Sequence, residues 1–144
     1  MIAAVVLAAG FARRMGRPKL LLEIGGKPIV RHAVEGILPH VDETIVVTGP
    51  GDARVVDALA GLLVRFAVNP RPEDGQGTSI AAGISALSAD SDAALVALGD
   101  QPAVPQTVVP ALLDALRRTG KSVIAPVYRG VQGTPVLFRR DVFA

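Results

Sequence analysis

A loop of small and basic residues follows the first apolar segment of the chain. Residues 1–22 contain no acidic side chain, whereas four cations, Arg14 and Lys19 among them, lie between positions 13 and 19. Small residues such as Gly10 let the backbone approach a ligand, successive N–H groups cradle phosphate oxygens, and cations neutralise the remaining charge. Residues 8–19 therefore predict a phosphate-binding loop. The alternative, a glycine turn beside solvated cations, is equally compatible with these residue types.

The loop matches neither of two common phosphate-binding patterns. Gly16 is followed by Arg17 and Pro18 rather than by Lys and Ser or Thr, so it is not a P-loop. The G-x-G-x-x-G pattern is also missing, and no suitably placed acid follows the second strand, which disfavours a dinucleotide-binding domain. The expected partner is a small, highly charged anion.

Two further segments carry groups that bind ligands. Asp100 directly follows an apolar run, and its carboxylate is a ligand type that Mg²⁺ prefers. In isolation, a turn or N-cap residue is the alternative. Residues 76–79 precede a predicted helix, where Thr78 or Ser79 is expected to cap the helix while free N–H groups meet a ligand. Capping alone is again the alternative.

Short Val-rich runs alternate with helical segments, which predicts an α/β fold with a mostly parallel sheet and helices on both faces. Ligands of such sheets bind beyond the carboxyl ends of the strands, where all three segments lie. One domain over residues 1–144 is expected, with a further helix that starts near residues 139–141 and is cut off where the sequence stops at Ala144. The predicted strands cover 2–7, 43–48, 64–68, 93–98, 122–126 and 135–138, and the predicted helices cover 28–38, 52–63, 78–87 and 107–118.

Composition excludes several classes of protein. The 144 residues contain no Cys, which removes disulfides, thiolate metal sites and cysteine nucleophiles. Aromatic residues make up 3% and the net charge is +2, so a nucleic acid or a membrane surface is not an expected partner. The short apolar run at 2–9 precedes its positive charges, so we do not interpret it as an export signal. We expect a cytoplasmic protein.

The order of the motifs resembles a known family. Residues 7–19 match L-A-A-G-x-x-x-R-M-G-x-x-K at every specified position. The resemblance continues through Asn69-Pro70, Gly75 to Ile80, Gly83, Gly99 to Pro102 and Gly133 to Phe138. Together these segments span nearly the whole chain and are similar to the MobA-like nucleotidyltransferases, with a Rossmann-like domain. The molybdenum cofactor cytidylyltransferase branch is the most similar.

The resemblance implies Mg²⁺-dependent transfer of a nucleoside monophosphate from a triphosphate to a phosphorylated acceptor, with release of pyrophosphate. Arg14, Lys19 and Asp100 would be catalytic, with Asp100 holding the metal. The implied nucleotide-binding residues are Leu7, Ala8, Ala9, Gly10, Arg14, Lys19, Asn69, Ser79 and Asp100.

The same resemblance implies the substrates. Ala9 is typical of the cytidylyl branch and favours CTP, and the implied acceptor is a phosphorylated pterin, the molybdopterin form of the cofactor. Ala12 stands where the family often has Ser, and Thr134 where the cytidylyl branch often has His. The resemblance also implies a further acidic metal ligand, which is expected beyond residue 144. The alternatives are GTP or another acceptor, or a non-catalytic nucleotide-binding or delivery partner of a molybdenum enzyme or its chaperone.

Overall fold

The computed structural model describes residues 1–9 and 19–143. Strands and helices alternate along most of these residues. In chain order they are β1 (Ile2–Leu7), β2 (Glu23–Ile24), β3 (Lys27–Pro28), α1 (Ile29–Glu35), β4 (Glu43–Thr48), α2 (Ala53–Ala58), β5 (Arg65–Val68), α3 (Gln76–Ser85), β6 (Ala93–Leu98), α4 (Val108–Thr119), β7 (Val123–Ile124), β8 (Val127–Tyr128), β9 (Val131–Gln132) and β10 (Val136–Arg139).

Six strands form the central sheet, in the order β5-β4-β1-β6-β10-β7. The first four are parallel, whereas β10 runs antiparallel to both of its neighbours. Strand β10 reverses direction because a hairpin, rather than a crossover helix, connects it to β7. The prediction of a mostly parallel sheet is confirmed.

Helices cover both faces of this sheet, also as predicted. Val6 and Val46 point to one face, where they belong to a buried cluster with residues of α1, α2 and α4. Their neighbours Val5 and Val47 point to the other face, where α3 packs. Because both faces are covered, the central strands are apolar along their whole length rather than alternating.

Helix α4 agrees closely with its prediction. Pro110 is its third residue, where a missing N–H is tolerated because the first turn has no carbonyl partners. Gly120 ends the helix in the left-handed conformation at φ 64°, and its N–H donates to the Leu116 carbonyl at 2.9 Å.

The predicted start of α3 is wrong. The helix begins at Gln76, so Thr78 and Ser79 lie inside it and do not cap it. Gly75 takes the capping position at φ 112° and ψ 164°, a conformation essentially reserved for glycine. The Thr78 hydroxyl instead donates to the Gly75 carbonyl at 2.6 Å. The chain turns into the helix earlier because glycine permits that backbone.

Two other predicted helices are too long. The segment predicted over 28–38 contains α1, which ends before Gly36, and a separate 3-10 turn, Leu38–His40, begins at its last residue. Pro39 lies in the first positions of that turn, where its missing N–H is tolerated. The segment predicted over 52–63 contains only α2, since the backbone leaves helical geometry at Leu59.

The strand predicted over 122–126 is reduced to β7, and the hairpin β8–β9 that follows was missed. Pro126 lacks an N–H and disfavours continuation of the strand. Arg129 and Gly130, both at positive φ, form the tight turn of the hairpin. Across residues 1–9 and 19–143, none of the helices has the length and apolar character needed to cross a bilayer.

Candidate active site at the carboxyl edge of the sheet

The ends of β1 and β6 lie side by side, with Leu7 opposite Leu98 in the parallel register. The Gly99 N–H donates to the Leu7 carbonyl at 2.9 Å. A Cβ at Gly99 would lie 3.0 Å from that same oxygen, so glycine permits this approach. The segments that follow the two strands, starting with Ala8 and Gly99, therefore leave the sheet together.

Lys19 and Asp100 meet at this edge although 81 positions separate them. Lys19 Nζ lies 3.4 Å from Asp100 Oδ2. Lys19 opens a short 3-10 turn, Lys19–Leu21, whose middle residue Leu20 is buried in the core. Burial of Leu20 thus fixes the backbone from which the lysine reaches the carboxylate.

The second carboxylate oxygen of Asp100 has a different environment. Oδ1 is buried and has no hydrogen-bond partner among the described residues. A buried oxygen without a partner is costly unless a ligand satisfies it, and a carboxylate oxygen suits a hard divalent cation. The described residues contain no cluster of three acidic or histidine side chains for a metal. Asp100 thus fits a metal that takes its other ligands from phosphates and water.

Asn69 and Ser79 come together at the start of α3, while their predicted contact with a nucleotide remains a prediction. Asn69 Nδ2 donates to Thr78 Oγ1 at 2.9 Å and to Ser79 Oγ at 2.8 Å. Asn69 Oδ1 accepts the Arg71 N–H at 3.0 Å. Asn69 and Ser79 are only 3% and 4% exposed, so their side chains hold the loop against the helix. The first N–H groups of α3, around Gln76, have no carbonyl partner inside the helix.

The first loop is described only at its two ends. Leu7 and Ala8 are buried, and Ala9 is partly exposed where the chain leaves the sheet. The Ala8 N–H donates to the Val47 carbonyl at 2.8 Å, which extends the β1–β4 pairing by one residue. Gly10 and Arg14 lie outside the described residues, so their predicted phosphate contacts remain predictions.

A cleft of about 740 Å³ opens next to Asp100, between residues 101–105 and the hairpin β8–β9. Three of its residues form a hydrogen-bonded chain. The Tyr128 hydroxyl donates to the Thr134 carbonyl at 3.1 Å, and the Thr134 hydroxyl donates to Gln101 Oε1. Sequence reasoning missed this cleft. The available signal was the pair Arg129-Gly130 between two short Val-containing segments, which is typical of a tight hairpin.

A parallel sheet with a lysine–carboxylate pair beyond its carboxyl edge is an architecture suited to binding a phosphorylated ligand. Residues 4–144 match the model of the MobA-like NTP transferase domain. The chain belongs to this family.

Two curated relatives illustrate the range of the similarity. The chain is 36% identical over 132 residues to the 2-C-methyl-D-erythritol 4-phosphate cytidylyltransferase of Escherichia fergusonii, covering 88% of this chain and 55% of that protein. It is 30% identical over 138 residues to the molybdenum cofactor guanylyltransferase of Shewanella putrefaciens, covering 94% of this chain and 67% of that protein. The chain spans only part of the curated relatives it matches, from 28% of the length of one to 67% of the length of another.

Solved structures share the fold. A nucleotidyl transferase from Methanothermobacter thermautotroptrophicus is 32% identical with a TM-score of 0.82, covering 99% of this chain and 73% of that one. A Mycobacterium tuberculosis H37Rv protein, Rv0371c, was solved in complex with manganese. It is 23% identical with a TM-score of 0.81, covering 99% of this chain and 72% of that one, and this likeness concerns the fold alone.

Proposed function

We propose that residues 1–144 form a Mg²⁺-dependent nucleotidyltransferase domain that transfers CMP from CTP to the molybdopterin form of the molybdenum cofactor. The observation that carries this proposal is the Lys19–Asp100 pair, 3.4 Å apart, with a buried Asp100 oxygen that has no partner in the described part of the chain. A cation for phosphate oxygens and a carboxylate for a divalent metal then lie at one point of the sheet edge. Family membership supplies the reaction class.

The proposed reaction conserves every atom and electron pair. An oxygen of the acceptor phosphate attacks the α-phosphorus of CTP and forms a new P–O bond. The bond between the α-phosphorus and the bridging oxygen breaks, and its electron pair leaves with pyrophosphate. Because negative charge grows on pyrophosphate, the ammonium of Lys19 and the guanidinium of Arg14 are proposed to stabilise the transition state.

Asp100 is the proposed metal ligand. Bound Mg²⁺ would supply Lewis-acid stabilisation to the attacked phosphate. The chain's own contribution is to position the Asp100 carboxylate. The preceding residue, Gly99, donates its N–H to the Leu7 carbonyl, and Lys19 contacts Asp100 Oδ2, which leaves Oδ1 for the metal.

The proposed nucleotide site extends from the end of β1 to the start of α3. Leu7, Ala8, Ala9 and Gly10 would bring backbone against the nucleotide, while Asn69 and Ser79 fix the loop whose N–H groups face it. CTP is favoured by Ala9 and by cytidylyltransferases among the similar proteins. GTP is the second candidate, because one similar protein is a molybdenum cofactor guanylyltransferase.

The remaining partners follow from this assignment. A molybdenum enzyme or its chaperone is the proposed recipient of the product, and the cytoplasm is the proposed location, in keeping with a chain that contains no cysteine. Nucleic acids and membranes are not proposed partners.

A thermal-shift titration tests the nucleotide and the metal together. The chain is melted with CTP, GTP or ATP, with and without Mg²⁺, beside Asp100→Ala. Ligand at about a hundred times its dissociation constant stabilises a fold by roughly 2.7 kcal/mol, a visible shift. We expect stabilisation by Mg-CTP that loses its Mg²⁺ dependence in Asp100→Ala. Pyrophosphate release with molybdopterin then tests the acceptor. Equal shifts with all three nucleotides would contradict CTP selection, and a fully active Asp100→Ala would overturn the metal role.

A further inference from the structure

The cleft beside Asp100 is distinct in its chemistry from the Lys19–Asp100 pair. Some of its lining side chains are apolar and the others are polar but uncharged. None of the lining residues that the structure describes carries a charge. Six of them matter here: Gln101, Val104, Tyr128, Gln132, Thr134 and Val136. A charged group placed in this cleft would find no counter-charge on these walls. An uncharged molecule with polar edges suits it.

The polar groups of the cleft are held in place from the hairpin side. A Cβ at Gly133 would lie 2.6 Å from the ring of Tyr128, so only glycine lets that ring lie against the backbone before Thr134. The Tyr128 hydroxyl then donates to the Thr134 carbonyl, and the Thr134 hydroxyl donates to Gln101 Oε1. Gln101 is thereby oriented through two hydrogen bonds that begin in the hairpin.

Orientation of Gln101 determines what it offers a ligand. An amide side chain has one carbonyl acceptor and two N–H donors. Because the Thr134 hydroxyl engages the carbonyl, the donors remain for a molecule in the cleft. Gln101 is also the residue directly after Asp100, so it lies at the border between the proposed transfer site and the cleft.

From these observations we infer that the cleft is the subsite for the ring of the acceptor, and that Gln101, oriented by Thr134, selects acceptors whose ring is uncharged and presents a hydrogen-bond acceptor to the Gln101 amide. A neutral pterin ring meets this description, whereas an acceptor body that carries a carboxylate does not. Thr134 acts as a positioning residue. This inference rests on the proposed function, because it places the acceptor of that reaction.

Binding of a pterin tests the inference without turnover. Unsubstituted pterin and pterin-6-carboxylate are titrated into the full chain, and dissociation constants and the NMR shifts of the Val104 and Val136 methyl groups are measured. We expect the neutral pterin to shift these methyl signals and to bind at least ten-fold more tightly than the carboxylate. Shifts elsewhere, no binding, or equal binding of the two probes would overturn the inference.

Matched variants test whether Gln101 and Thr134 determine the affinity for the neutral pterin. Gln101→Glu replaces the donors by a charge, and Thr134→Val removes the orienting hydroxyl while keeping the shape. Each is expected to weaken binding of the neutral pterin, by about ten-fold and several-fold respectively. Thr134→Ser, which retains the hydroxyl, should restore the affinity. Gln106→Glu makes the same charge change in the same segment, at a residue that does not line the cleft, and should have no effect.

Steady-state kinetics separates this inference from the proposed function. With Mg-CTP and molybdopterin, Gln101→Glu and Thr134→Val should raise the KM for molybdopterin while the KM for CTP stays unchanged. If the wild-type chain binds pterin in the cleft but transfers no CMP, the proposed function fails and the subsite stands. If it transfers CMP and neither variant changes the KM for molybdopterin, the subsite fails and the proposed function stands.

Discussion

Lys19 Nζ lies 3.4 Å from Asp100 Oδ2, which joins the segment after β1 to the segment after β6. The lysine side chain is 39% exposed and the aspartate 18%. An ion pair this close to solvent contributes little to stability. Its importance is positional, since it places a cation and a carboxylate at the same end of the sheet.

Replacing Asp100 with Asn should separate function from stability. Asn keeps the size of the side chain but removes the charge that is proposed to hold a divalent cation. We expect nucleotidyl transfer, measured as pyrophosphate release, to fall by about 10²-fold or more. The free energy of unfolding in urea should change by no more than about 1 kcal/mol. A loss of activity that only tracks loss of fold would contradict the assigned role.

Replacing Lys19 with Met should remove the charge and keep the apolar stem. A fixed cation beside the leaving pyrophosphate is expected to contribute about 10²- to 10³-fold to kcat/KM. The same substitution at the exposed Lys121 is the matched control and should leave the kinetics unchanged. Equal effects at the two positions would show that only net charge matters.

Gly83 should be intolerant of even one added methyl group. A Cβ there would lie 2.3 Å from Val5 Cγ1 and 3.0 Å from Val47 Cγ2, because α3 packs directly on β1 and β4. Gly83→Ala is expected to lower the free energy of unfolding by about 1–3 kcal/mol through overpacking. Gly77→Ala in the same helix meets open space and should be neutral or slightly stabilising. Urea unfolding of both variants checks the pair.

Asn69 should stabilise the loop before α3 through its buried hydrogen bonds. Asn69→Ala leaves the Ser79 hydroxyl buried without its donor and is expected to lower the unfolding free energy by about 1–3 kcal/mol. Ser79→Ala should have a smaller effect, because Asn69 Nδ2 keeps its bond to Thr78. In a double-mutant cycle the two substitutions should be non-additive. Additive effects would show that the bond contributes nothing.

Glu35 should give the fold a small pH-dependent stabilisation. The Lys27 ammonium, 2.8 Å from Glu35 Oε1, holds the pKa of this carboxyl below its ordinary value of 4.5, and Arg31 and His32 add to the effect. A lowered pKa in the folded state means that the contribution is present above pH 4.5 and is lost as the pH falls through the folded-state pKa.

The measurement compares Glu35→Gln with wild type in urea at several pH values. At pH 7 the variant should be less stable by at most about 1 kcal/mol, because the pair is partly exposed. The difference should fade in acid and in about 1 M salt, where the Debye length is near 3 Å. A difference that grows on acidification would contradict the assignment.

The type of an element, strand or helix, was predictable from the sequence wherever the element is long enough to show a clear apolar pattern. The run of β1 and the spacing in α4 needed no tertiary information, because burial on both faces gives a continuous apolar strand and burial on one side gives helical periodicity. The start of α3 was misplaced because Gly75 adopts a conformation that no hydrophobic pattern encodes. The hairpin β8–β9 was missed because its strands have only two residues each, which is too short for an alternating apolar pattern to show.

The sequence by itself determined the chemical groups of this protein: the basic first loop, the isolated aspartate after an apolar strand, and the order of motifs that identifies the family. Tertiary structure decided which of these groups meet. Parallel pairing of β1 with β6 brings Lys19 to Asp100, and the antiparallel return of β10 brings Thr134 to Gln101. Residue types are local properties of the chain, whereas contacts between distant positions depend on strand order and register, which no single segment specifies.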